Sequence, residues 1–299
     1  MPDLSFFRKI IATLALAAFC VAVWAQKPVS ENDLRLNVAF LADSCCAGRG
    51  CGTVGTVEAS AWIARQFADA GLQQLNGSWF QHFETSSGTG HNVIGVLPGS
   101  NHSYILVGAH YDGLGTIGGR MYPGADSNAS GVAALLSIAA AMPRDIGTGL
   151  IFVAFDAYAS SRSGAAAFLE AFPQLNITTM ISLDILGGVT APVRSGEYNY
   201  LLALGAKGYA GSLTLAGFGL DVNLYYDYYG SEEFTRIFYN RIGDQVPFQK
   251  KGVATIVFTS GITMNTNKPA DSPRALNYGV FTRRVKLIQR WLVAKTALR

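Results

Sequence analysis

Residues 106–131 read LVGAHYDGLGTIGGRMYPGADSNASG. The apolar run at 104–107, rich in β-branched residues, predicts a buried strand that ends in Gly108, Ala109, His110, Tyr111 and Asp112. An imidazole and a carboxylate are thereby delivered to the carboxyl end of a strand, which is where α/β sheets build their sites. A glycine-rich loop leads on to Gly124, Ala125, Asp126, Ser127 and Asn128. Residues 129–142 then read as an alanine- and leucine-rich helix capped by Ser127 or Asn128, with Asp126 beside its amino terminus. Zinc takes imidazole nitrogen and carboxylate oxygen together, so two acids and a histidine converging on one loop are the ingredients of a hydrolytic metal site. An ordinary strand, loop and helix carrying a capping aspartate and a stray histidine would give the same letters.

Outward from this stretch the pattern alternates. Residues 31–41 and 57–70 space their apolar residues as helices do, and Gly71 closes the second as its C-terminal cap. Residues 80–84, 92–97, 150–155, 177–183, 223–226 and 255–258 read as further strands, and 280–295 as the last helix. Glu232 and Glu233, after Gly230, open another helix as amino-terminal charges. This order predicts an α/β fold: a three-layer helix, sheet, helix sandwich around a mixed, mainly parallel sheet of about seven or eight strands.

Arg8 and Lys9 precede an apolar run over 10–23, and Val23, Trp24 and Ala25 place small residues where a signal peptidase cuts. Residues 1–25 are therefore expected to be an export signal, and 26–299 one folded domain found in the periplasm or secreted. The run is short of the ~20 apolar residues of a membrane span, and Phe19 is too bulky to precede a lipid-modified Cys20. No membrane span is expected after signal removal. A net charge of +3 with only 14% charged residues leaves no basic stripe, which argues against a nucleic-acid partner. Cys45, Cys46 and Cys51 share one loop-like segment, and in an oxidising compartment a Cys46 to Cys51 or Cys45 to Cys51 bridge is expected.

The order HYD at 110–112 and GADSNASG at 124–131 resembles the zinc-dependent exopeptidases of the M28 metallopeptidase family, which includes bacterial leucyl aminopeptidases and is related to glutaminyl cyclases. AGRGCGTVG at 47–55, HNVIGVLPGS at 91–100, ISLDILG at 181–187 and GDQVPFQKKGVATIVFTSG at 243–261 match in the same order. The resemblance implies a two-zinc site in which His110 and Asp184 bind one ion, Asp126 bridges and Asp112 orients His110 from behind. It also implies losses. The family's general-base glutamate falls on Tyr158, a ligand glutamate on Ala159 and a ligand histidine on Asn267. A phenol with an ordinary pKa of about 10 is badly matched to general-base work near neutrality. At most one zinc is therefore expected, held by His110, Asp126 and Asp184. Asp244, Gln245 and Tyr226 are expected at a pocket for a peptide or small molecule, although the tyrosines at 225, 226, 228 and 229 also suit ordinary packing. The implied function is that of an exported, catalytically degenerate aminopeptidase relative, the alternative being a single-metal aminopeptidase or an acyl-transferring metallohydrolase.

Overall fold

The computed structural model describes residues 27–158, 163–189, 196–228 and 230–298. The export signal, Cys20, Ala159 and Tyr229 lie outside the described residues. Helices α1 (Glu31–Leu41) and α2 (Val54–Asp69) lead into strands β1 (Gln73–Gln74), β2 (Phe80–Thr85), β3 (Gly88–Leu97) and β4 (Tyr104–His110). A small hairpin, β5 (Thr116–Ile117) and β6 (Arg120–Met121), interrupts the loop to helix α3 (Gly131–Ala141). There follow β7 (Gly149–Phe155), α4 (Ser163–Ala171), β8 (Ile177–Leu183), β9 (Tyr200–Leu204), α5 (Ala210–Ala216), β10 (Asn223–Tyr225), α6 (Glu232–Arg241), α7 (Gln245–Lys250), β11 (Ala254–Thr259) and α8 (Tyr278–Thr296).

The main sheet runs β1, β3, β7, β4, β8, β11, β9, β10, with β2 paired to β3. Its middle is parallel, β7 with β4, β4 with β8 and β8 with β11, while β3 with β7 and β11 with β9 are antiparallel. The sheet is thus mixed and mainly parallel at its centre, as the alternation predicts. It has nine strands among the described residues. Two strands of this sheet are absent from the sequence reading: the two-residue β1, too short to show a period, and β9, whose YLLAL is built of leucine and alanine and carries little intrinsic strand preference. Pairing on both sides, with β11 and β10, makes it a strand.

Each face of the sheet is covered. Leu34, Phe67, Val132, Leu135, Phe281, Ile288 and Trp291 from α1, α2, α3 and α8 close one side. Phe168 of α4 and Phe248 of α7 meet Leu106, Ile151, Val153, Phe155 and Met180 on the other. β4 is buried from Ile105 to His110 because strands flank both its edges and helices both its faces.

No disulfide joins Cys45, Cys46 and Cys51, contrary to the expected bridge. Cys46 is buried on a 3-10 turn and donates toward the Phe40 carbonyl at 3.4 Å, whereas the Cys51 sulfur lies 3.8 Å from Thr85 Oγ1. Burial, followed by the neighbouring Cys45, pushes the Cys46 thiol up to about 12, which disfavours the thiolate needed for exchange.

Candidate active site

β4 delivers His110, and β8 delivers Asp184 one residue beyond its end. His110 Nε2 lies 3.7 Å from Asp184 Oδ1, and Nδ1 lies 3.6 Å from Asp112 Oδ1 and 3.2 Å from the Asp112 carbonyl. Asp112 thus stands behind the imidazole as expected, and also accepts from the Tyr158 backbone N–H at 3.0 Å. Burial opposes a charge on His110, but the flanking carboxylates of Asp112 and Asp184 outweigh it and raise the group to about 10. Tyr158 stacks on the imidazole with ring centres 4.0 Å apart and planes 13° from parallel.

The structure does not bring Asp126 to this pair. Its Oδ1 accepts from the Gly187 and Gly188 N–H groups at 2.8 and 2.9 Å and from the Ser130 hydroxyl at 3.1 Å. Its Oδ2, buried without a hydrogen-bond partner, lies on the side of Gly188, where a methyl group on that glycine would sit 2.2 Å away. Burial, and then the nearby Asp271, raise its carboxyl to about 6. Asp271 holds the same turn from the other side, accepting from Asp126 N at 2.8 Å and Ser127 N at 3.0 Å. The residue of this turn that faces the cavity is Ser127.

Asn128, expected as a cap, accepts from Gly131 N at 3.1 Å and from Ile185 N at 2.9 Å. Its amide donates to the Leu183 and His110 carbonyls at 3.0 and 3.3 Å. The helix itself starts at Gly131 rather than at 129, because an irregular turn occupies 125–130. Two buried arginines complete the frame. Arg49 donates to the carbonyls of Leu41, Tyr111, Pro123 and Gly124. Arg284 donates to those of Tyr200, Leu186 and Gly188. Arg49 was legible only as part of the AGRGCG match, and Arg284 left no signal in an amphipathic helix.

His110, Ser127, Tyr158, Asp184 and Asn267 are among the residues that line a cavity of about 680 Å³. Leu204, Tyr228, Phe238, Tyr239, Ile242 and Val257 make its apolar walls. Gln245 lines it too, but its amide is committed to the Tyr239 and Ile242 carbonyls. Asp244 is buried and does not line the cavity, and Tyr226 packs partly buried against the main core, so Tyr228 takes the wall position expected of Tyr226. Ala157, Ile185 and Asn267 hold left-handed backbone, φ 64°, 61° and 60°, each beside or within the cluster. Such conformations cost of order 1–3 kcal/mol apiece and persist where the surroundings dictate the backbone path.

A catalytic zinc needs three protein ligands and an open position. His110 and Asp184 supply two suitable donors. Ser127, Tyr158 and Asn267 offer hydroxyls and an amide, and no group of three His, Cys, Asp or Glu side chains suited to a metal occurs among the described residues. The donor set lining the cavity does not fit the two-zinc centre.

Residues 92–292 match peptidase family M28, and the chain belongs to that family. No curated protein matches it in sequence. Among solved structures it is similar to BSAP, a zinc aminopeptidase from Bacillus subtilis, at 13% identity and a TM-score of 0.69, covering 91% of this chain and 96% of that one. It is similar to a glutaminyl cyclase of Porphyromonas gingivalis at 18% identity and 0.66, covering 90% and 99%. LapB of Legionella pneumophila matches at 18% and 0.68, covering 90% and 72%. At such identities the likeness establishes the fold.

Proposed function

We propose that the chain is an exported member of the family that binds a peptide or small molecule in its cavity and hydrolyses peptides weakly or not at all. The observation that carries this reading is the company His110 and Asp184 keep: Ser127, Tyr158 and Asn267 line the same cavity, and none of these is a good zinc donor or a base for neutral pH. Loss of general-base assistance alone costs roughly 10² to 10⁴ in rate. Loss of a metal removes water activation and charge stabilisation as well. At most one ion, loosely held by His110 and Asp184, belongs to this reading. The apolar walls, with Asp184 as the part-exposed carboxylate at their base, suit a ligand with an apolar body and a hydrogen-bond donor or cation at one end.

Elemental analysis and turnover of aminoacyl-anilides and glutaminyl peptides test the proposal. Well under two zinc ions per chain and negligible turnover are expected. The combined change Ser127→Asp, Tyr158→Glu, Ala159→Glu and Asn267→His should raise zinc toward two ions. Metal-dependent turnover by the unmodified chain at rates ordinary for an aminopeptidase, abolished by Asp184→Ala, would overturn it.

A further inference from the structure

The chain contains only four histidines, and two of them, His82 on β2 and His91 on β3, are direct partners in antiparallel register. The His91 backbone N–H donates to Asp156 Oδ2 at 2.9 Å and its carbonyl accepts from the Tyr111 hydroxyl at 2.8 Å. Both main-chain groups of His91 therefore point away from β2, which makes His82 and His91 a non-hydrogen-bonded pair, the arrangement that brings opposed side chains closest. Their ring centres are 4.9 Å apart. Two imidazoles each about 2 Å from one ion, at an angle between square and tetrahedral, have ring centres roughly 4.5–5 Å apart. His82 is exposed and His91 half-buried, so the pair opens to solvent, and neither residue lines the cavity of His110.

We propose that His82 and His91 form a two-histidine site for a divalent transition-metal ion, taking Cu²⁺ in preference to Ni²⁺ and Zn²⁺. The preference follows from the general affinity order of nitrogen sites. Ligation requires neutral imidazole. Burial, followed by repulsion from His82, lowers the His91 pKa, which frees its ring for an ion at neutral pH. With no third imidazole, thiolate or carboxylate grouped with them among the described residues, the other coordination positions fall to water, and binding is weaker than in a closed three- or four-ligand site. Because both residues sit on the β2–β3 hairpin, an ion here ties edge strand β2 to β3, whose His91 main chain is anchored to Asp156 and Tyr111.

The test is titration of the tag-free chain with Cu²⁺, followed by electron paramagnetic resonance, with Ni²⁺ used for thermal melts because it does not oxidise Cys45. One copper should bind with two-nitrogen coordination, at least tenfold more weakly in His82→Asn or His91→Asn, and with unchanged affinity in His102→Asn. Ni²⁺ should raise the melting temperature of the parent chain but not of His82→Asn. His82 is exposed, so that variant is expected to fold, and its melt without metal checks this. In a His110→Asn background the copper signal should persist, which separates this site from the cavity. No bound copper, binding unaffected by the His82 and His91 changes, or binding lost with His110 alone would each overturn the proposal.

Discussion

Two carboxylates, those of Asp112 and Asp184, flank His110, and in metal-free protein that has a measurable signature. The His110 pKa in the fold, about 10, lies above the ordinary imidazole value, because Asp112 and Asp184 outweigh the cost of burial. A raised folded-state pKa gives stability that is complete below about pH 6.5 and lost as the pH climbs toward 10. In chelator-treated protein, the stability difference between the parent chain and His110→Gln should therefore shrink across that window, by at most about 1.4 kcal/mol per pH unit. Urea unfolding at several pH values reads it, and Asp184→Asn should flatten the dependence. A difference independent of pH would show that the imidazole is not charged in the fold. At this scale the structure gathers His110, Tyr158, Asp184 and Asn267 around one cavity, with Asp112 beside the imidazole, which is the grouping their motifs suggested. The sequence misled at Asp126, because two adjacent positions of one turn face opposite ways and spacing alone cannot say which of Asp126 and Ser127 looks into the cavity.

The elements meet through the turn at 125–130 rather than through a regular cap. Asn128 links the end of β4, the end of β8, the segment after β8 and the start of α3 with four hydrogen bonds from one buried amide. Truncating it leaves buried partners unsatisfied, each at about 1–3 kcal/mol. Asn128→Ala is expected to lower the free energy of unfolding by roughly 2–5 kcal/mol, measured by urea denaturation, and to loosen Asp184. Asn128→Asp should also destabilise, because a carboxylate cannot donate to the carbonyls of Leu183 and His110. A loss below about 0.5 kcal/mol would mean that the turn is held by Asp271 alone. The strands ending here were legible because β-branched residues and glycine punctuate them. The irregular turn was not, since its conformation depends on Asp271, far along the chain.

For the whole molecule, the alternation of apolar strands and amphipathic helices was sufficient to reveal the layered sandwich; the two-residue strands β1, β5 and β6 escaped because they are too short to show a period, and β9 because its leucines and alanines favour another conformation until neighbours impose pairing. No helix among the described residues is long and apolar enough to cross a membrane. Mass spectrometry of the protein recovered from the periplasm or medium is expected to give a chain beginning near Gln26. A cytoplasmic protein with Met1 intact would contradict the proposed export.

The position of β11 has a consequence for how the chain is made. It sits between β8 and β9, and joins the block ending at β8 to the pair β9 and β10. A ribosome must therefore make the chain through β11, as far as Thr259, before β9 and β10 can be zipped to the rest. Sheet closure waits for this last strand, is dominated by distant pairings and is correspondingly slow. A nascent chain stopped before Ala254 would keep a raw strand edge open to other chains.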